Sequence, residues 1–165
     1  MTTSLRNIVI LQIIAILFAM LNLSNIKIEY VANFLPLFDV MIIYYFAVLR
    51  PQVFAVWFLF LLGLIGDSIN GFPLGITSLS YILTVKLFNS LNQRILVKEN
   101  FQQIFGQFIA FAFIILFLKW AMLSIYHFKN YNFVNPMIQL VITATLYVLL
   151  HKFFDYLDKK LLQNI

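Results

Sequence analysis

Four stretches of this chain, residues 8–23, 53–66, 104–118 and 136–150, are almost wholly apolar and free of charge. That pattern constrains the fold more than any other feature. A helix needs about 20 mostly apolar residues to cross a bilayer core of about 30 Å. Water cannot solvate so much Phe, Ile and Leu on a small domain, whereas lipid can. Composition agrees: 63% of the residues are hydrophobic and only 10% are charged, against about a quarter in a soluble domain. The mean hydropathy is +0.96. The chain therefore reads as an all-α integral membrane protein.

The pattern predicts about six transmembrane helices in a single polytopic domain covering residues 1–165, at about 7–23, 34–49, 52–69, 76–91, 101–126 and 136–154. The first has an Arg before it and an apolar middle, as a signal peptide would. Its exit, Asn22-Leu23-Ser24-Asn25-Ile26, lacks a small-x-small cleavage site, so it is expected to remain as an anchored helix. The second and fourth are short for a full crossing and are expected to thin the bilayer or extend by a turn; a four- or five-span topology is the alternative, against which the charge placement argues. No soluble catalytic module, low-complexity linker or internal repeat is visible.

The net charge of +5 is explained by where the cations fall. With the N-terminus inside, Arg6, Arg50, Lys86, Arg94, Lys98, Lys152, Lys159 and Lys160 lie on the inner side. Only Lys27 and Lys129 lie on outer connectors, and Lys119 lies within the fifth span. This bias follows the positive-inside rule and puts both termini in the cytoplasm, with no nucleic acid needed to explain the charge. After the sixth span, Phe153, Phe154, Leu157 and Leu161 recur at helical spacing among Lys152, Asp155 and Lys159. A helix running into the inner interface, with basic residues against anionic lipid or snorkelling to water, fits that spacing.

Ionisable groups at membrane depth are functional candidates because burying them costs energy. Asp39, Asp67 and Lys119 are the ones here. At 1.5 Å per residue Asp67 lies about 22 Å along the third span and Lys119 about 27 Å along the fifth, while Asp39 opens the second. All three are expected in the outer third of the membrane, with Lys119 paired to Asp67 or Asp39 or each snorkelling separately. An intramembrane aspartyl protease would need two carboxylates sharing a proton and a Gly-x-Gly-Asp turn. The stretch Leu64-Ile65-Gly66-Asp67 lacks the first Gly. His127 and His151 are expected near opposite faces, too far apart to share a metal, with His151 an interfacial side chain. Cysteine is absent. No H-E-x-x-H, phosphate-binding Gly-rich loop or G-x-S-x-G elbow occurs. No catalytic residue, metal or cofactor is expected.

Glycine is concentrated: Gly63, Gly66, Gly71 and Gly75 sit about one helical turn apart, with Pro73 between the last two. Glycine allows close helix approach in lipid and unusual backbone angles in turns. Either a docking surface or a tight connector between the third and fourth spans follows. Ala15-x-x-x-Ala19 in the first span is a second small-residue face and a candidate for helix docking.

These pieces resemble the rod shape-determining membrane protein MreD family over residues 36–81. Pro36-Leu37-Phe38-Asp39 opens a short apolar span that runs through Tyr44-Tyr45-Phe46-Ala47-Val48-Leu49-Arg50-Pro51. Gly63-Leu64-Ile65-Gly66-Asp67-Ser68-Ile69-Asn70-Gly71 and Pro73-Leu74-Gly75-Ile76-Thr77-Ser78-Leu79-Ser80-Tyr81 follow. The resemblance implies a non-enzymatic scaffold of the bacterial cell-elongation machinery in the cytoplasmic membrane. It implies MreC as partner, RodA and its partner transpeptidase as further contacts, and MreB filaments reached through the complex. The partner-contact candidates are then Asp39, Gly63, Gly66, Asp67, Gly71, Pro73, Gly75 and Lys119. The same resemblance suggests a fold like the S-components of energy-coupling-factor vitamin transporters, whose first helix docks through an Ala-x-x-x-Ala face. A vitamin-binding transporter subunit is the alternative function. It would need convergent polar groups in an outward pocket, and the last three spans offer few: Ser124, Tyr126, Gln139 and Thr143.

Overall fold

A computed structural model of the chain describes residues 2–21, 35–49, 53–92, 101–128 and 131–162. Every regular element among them is helical: α1 (Thr2–Leu21), α2 (Phe38–Ile43), which runs on as a π-helical segment (Tyr44–Leu49), α3 (Val56–Asn70), α4 (Ile76–Asn92), α5 (Phe101–His127) and α6 (Val134–Leu162). Helices pair every internal backbone group within one segment, which is the solution an apolar surrounding demands. Helices α5 and α6, over Phe101–His127 and Val134–Lys160, are long and apolar enough to cross a bilayer; Arg6–Met20, Phe38–Val48 and Val56–Ser68 are shorter apolar helices.

The second helix is the hub. Residues 40–48 are all buried, enclosed by α1, α4 and α6 and, through Tyr44, by α5. A helix apolar all round is one that is buried all round, and this explains its length. Irregular backbone is tolerated at membrane depth where protein covers it, so this element need not match the lipid thickness. Its helix begins at Phe38, later than the expected 34, because residues 35–37 are tied down instead. The Leu37 N–H donates to Thr143 Oγ1 (3.1 Å) and Gln139 Nε2 donates to the Leu35 carbonyl (2.9 Å), both on α6.

Around the hub, α1 contributes Leu11, Ala15 and Ala19, one turn apart and buried, while Val9, Ile13, Leu17 and Met20 face outward. Phe18 closes the gap between α1, α2 and α6 by packing on Phe38, Phe153 and Phe154. Helices α5 and α6 meet through Phe108 and Tyr147, stacked with centroids 3.8 Å apart. Tyr44 of the π-helical segment packs edge-on against both rings. Aromatic pairs of this kind add about 0.5–1.5 kcal/mol each beyond burial.

Helices α3 and α4 form the tightest pair. A Cβ at Gly63 would overlap the backbone of Ser78. With the backbones that close, Ser78 Oγ donates to the Phe60 carbonyl (2.8 Å). Helix α3 starts at Val56, not at 52, because Val53 and Phe54 turn inward and are buried, Phe54 against Phe46 and Phe58. Helix α6 starts two residues before Pro136, where Asn132 Oδ1 accepts the Val134 N–H (3.0 Å), and continues eight residues past 154. Pro136 stands in the first turn, where its missing N–H costs nothing.

Because Gly63 lies on Ser78 itself and not on a flexible side chain, Gly63→Ala is expected to destabilise the protein by about 1–3 kcal/mol through overpacking. Gly66→Ala, whose added carbon would sit 3.7 Å from Thr77 Cγ2, is expected to be nearly neutral. Thermal unfolding of the two variants in the same detergent checks the contrast.

Candidate functional site

The sequence candidates converge on the end of the bundle where α3 turns into α4. Asp67 sits in the last turn of α3, fully buried. An ionised carboxylate at such a place needs several hydrogen bonds. It finds them at the start of α4: Oδ2 accepts the Gly75 N–H (2.8 Å), and Oδ1 and Oδ2 share the Thr77 N–H (3.1 and 3.2 Å). These are among the N–H groups that a helix start leaves without partners, and the positive end of the helix dipole favours the negative charge. A residue ten positions upstream thus performs the work of an N-cap.

The Asp67 carbonyl closes the same turn from the other side. It accepts the N–H groups of Gly71 and Phe72, which ends α3 with Gly71 in the left-handed region at φ +66°. Gly75 has φ +102°, the angle that lets the chain swing back so that its own N–H reaches the carboxylate. The Pro73 carbonyl accepts from the Ile76 N–H (3.4 Å). Gly71, Pro73 and Gly75 are therefore a turn built around one aspartate, and Gly63 is a packing residue. A Cβ at Gly66 would only reach ordinary contact with Thr77 Cγ2, so Gly66 has neither role.

Asp39 lies beside this turn in the first turn of α2, also buried. Its Oδ1 accepts the Val40 N–H (2.9 Å), and its Oδ2 accepts the hydroxyl of Tyr81 from α4. Lys119 of α5 completes the group through aromatic rings, with Nζ 5.8 Å from the Phe72 ring centroid and 5.9 Å from that of Tyr81. Of the sequence alternatives, Lys119 paired to Asp67 or Asp39 or each snorkelling separately, the structure shows Lys119 against the Phe72 and Tyr81 rings, with Asp67 bonded to backbone N–H groups and Asp39 to Tyr81. These hydrogen bonds of the two carboxylates go to different groups, Asp67 to backbone N–H groups and Asp39 to Val40 and Tyr81. Thr77 Oγ1 and Ser124 Oγ are buried without a hydrogen-bond partner.

A second polar cluster, around Tyr44 and Tyr45 midway along the hub, has no counterpart in the sequence reading. Tyr45 donates to Asp155 Oδ1 (2.5 Å). Asp155 Oδ2 lies 3.6 Å from His151 Nε2, and His151 Nδ1 lies 3.2 Å from the Tyr147 hydroxyl. Tyr44 donates to the Ile104 carbonyl (2.9 Å) and reaches Gln107 Oε1 (3.4 Å). His151, expected as an interfacial side chain, is buried in this chain of bonds. Its i, i+4 spacing from Tyr147 and Asp155 was the available signal. Ala15 and Ala19 are likewise internal: they seat α1 on the hub and offer no outer face. Among the described residues no three His, Cys, Asp or Glu side chains group as metal ligands.

The model of one protein family, described as rod shape-determining protein MreD, matches residues 2–159. No curated protein and no solved structure matches the chain.

Asp67→Ala strands the Gly75 and Thr77 N–H groups and is expected to cost about 1–3 kcal/mol. Asp67→Asn keeps an acceptor and should fall between that variant and the wild type. Protection of the Gly75 and Thr77 amides from hydrogen exchange checks this: it should drop in the order wild type, Asn, Ala.

Proposed function

We propose, because this chain belongs to the rod shape-determining protein MreD family, that it is a non-enzymatic membrane scaffold of the bacterial cell-elongation complex. Family membership carries the coarse part: a membrane protein with a role in determining rod shape. The finer part is the proposal. The protein works with MreC, couples MreB filaments to peptidoglycan synthesis outside the membrane, and contacts RodA and its partner transpeptidase through the complex. It is multi-pass in the cytoplasmic membrane, with both termini in the cytoplasm.

The observation that best supports a scaffold is how the polar groups are used. Asp67, Asp39 and Tyr81 are committed to holding α2, α3 and α4 together. A turn fixed this firmly presents a constant shape, with Leu74 exposed at its tip beside the half-buried Phe72. We assign that tip as the MreC contact. A likeness to vitamin-transporter S-components is kept as a proposal about fold alone, since fold does not carry function. The Ala15–Ala19 face that such a subunit would dock through is turned into the protein's own core.

A C-terminal tag, gentle solubilisation of native membranes and mass spectrometry of the co-purifying proteins test the reading. MreC, or the wall polymerase, is the expected partner, with recovery reduced by Leu74→Asp and depletion of the protein rounding the cells. Recovery of an energy-coupling ATPase module in place of MreC would overturn the proposal.

A further inference from the structure

Helix α6 is longer than a membrane crossing requires. Its 29 residues span about 43 Å, against a bilayer core of about 30 Å. The apolar run ends at Leu150, and from Lys152 onward the helix carries Lys152, Asp155, Asp158, Lys159 and Lys160. Counted along the sequence these charges nearly cancel. In the structure they separate.

At 100° per residue, Lys152, Phe153, Tyr156, Lys159 and Lys160 fall within an arc of about 120°. All five are exposed. The opposite side carries His151, Phe154 and Leu157, all buried, and the half-buried Asp155 and Asp158. Asp155 is held inward by Tyr45 and His151. The carboxylates are thus withdrawn from the exposed face, which is left with three ammonium groups and two aromatic rings. Lys160 Nζ sits 5.6 Å from the Tyr156 ring centroid and 3.5 Å from its hydroxyl, so the ring holds that cation at the surface.

We propose that this arc binds the phosphate headgroups of anionic phospholipid in the leaflet where α6 leaves the membrane. Charge complementarity selects the occupant: ammonium groups meet phosphate, and Phe153 and Tyr156 suit the boundary between headgroups and acyl chains, where amphipathic rings concentrate. Long lysine stems lie along apolar surface while their heads reach the headgroups. The inference rests on the chain being a membrane protein and is independent of its orientation and of its partners in the elongation complex.

Native mass spectrometry of the full-length protein released from nanodiscs of equal phosphatidylglycerol and phosphatidylcholine tests it. The wild type should retain phosphatidylglycerol preferentially, and the preference should fall as salt rises from about 0.05 to about 0.5 M. Each lysine near an anionic surface is worth on the order of fivefold in affinity. The triple variant K152Q/K159Q/K160Q should therefore lose most of the preference. The corresponding triple Lys→Arg variant should keep it, and Lys86→Gln, an exposed cation outside the arc, should leave it unchanged. If the glutamine triple does not fold by thermal unfolding, K159Q/K160Q alone should lower the preference severalfold. A wild type without preference, or a folded glutamine variant that keeps it, would overturn the proposal. So would loss of an acidic protein from the co-purified complex with lipid retention unchanged. None of these lipid results depends on whether MreC co-purifies.

Discussion

A fully buried carboxylate is the constraint on which the rest of this structure depends. Asp67 is fully buried, and an unpaired charge at its position would cost more than a small membrane domain has to spare. The chain meets that demand with backbone alone. The start of α4 must come close enough for the Gly75 and Thr77 N–H groups to reach Asp67, and that fixes the turn, the left-handed Gly71 and Gly75, and the antiparallel course of α3 and α4. The contact of Gly63 with Ser78 follows from the same closeness. One side chain thereby fixes both ends of a connector: its carboxylate starts the next helix and its carbonyl ends its own.

The hub depends on this arrangement in turn. Helix α2 and its π-helical continuation are enclosed by protein, and polar bonds fix their register. The start is held by Asp39 bonded to Tyr81 of α4 and by Leu37 bonded to Thr143 of α6. The middle is held by Tyr44 on α5 and Tyr45 on Asp155 of α6. Because Tyr81 stands one turn beyond Thr77, the placement of α4 by Asp67 also sets where Asp39 can bind. π-Helical turns recur at functional positions, and here that turn aims two adjacent tyrosines at two different helices.

The helices were readable in the sequence because apolar runs broken by Gly, Pro and Asn leave few alternatives. The run from Gly63 to Gly75 left a docking surface and a tight connector both open. The physical basis of the turn was not readable. Nothing in the local pattern says that Asp67 binds an N–H ten residues ahead, and charge alone leaves it to pair with Lys119, to leave Lys119 to Asp39, or to snorkel by itself. The burial of the Ala15–Ala19 face and of His151 was not readable either, because membrane sequences lack the polar–apolar alternation that marks inside from outside in soluble proteins. Where every face is apolar, burial is decided by packing between helices distant in sequence. Tyr45 and Asp155, 110 residues apart, show how distant.

The same argument bears on what such a protein can do. Among the described residues, the buried side chains Asp39, Asp67, Ser78, Tyr81 and Thr143 are occupied in joining helices and turns. The surfaces left over are of a different kind: the outward residues of α1, the leucine row Leu79, Leu83, Leu87 and Leu91 of α4, and the rigid turn with Leu74 at its tip. Such surfaces act by shape and by apolar area, which is how one membrane protein positions another. The exposed lysines at the end of α6 add what those faces lack, an attachment to the charged plane of the membrane. A protein anchored in depth by its helices and at one surface by cations holds its turn at a defined height, and the proposed coupling of filaments to synthesis would need such a height reference.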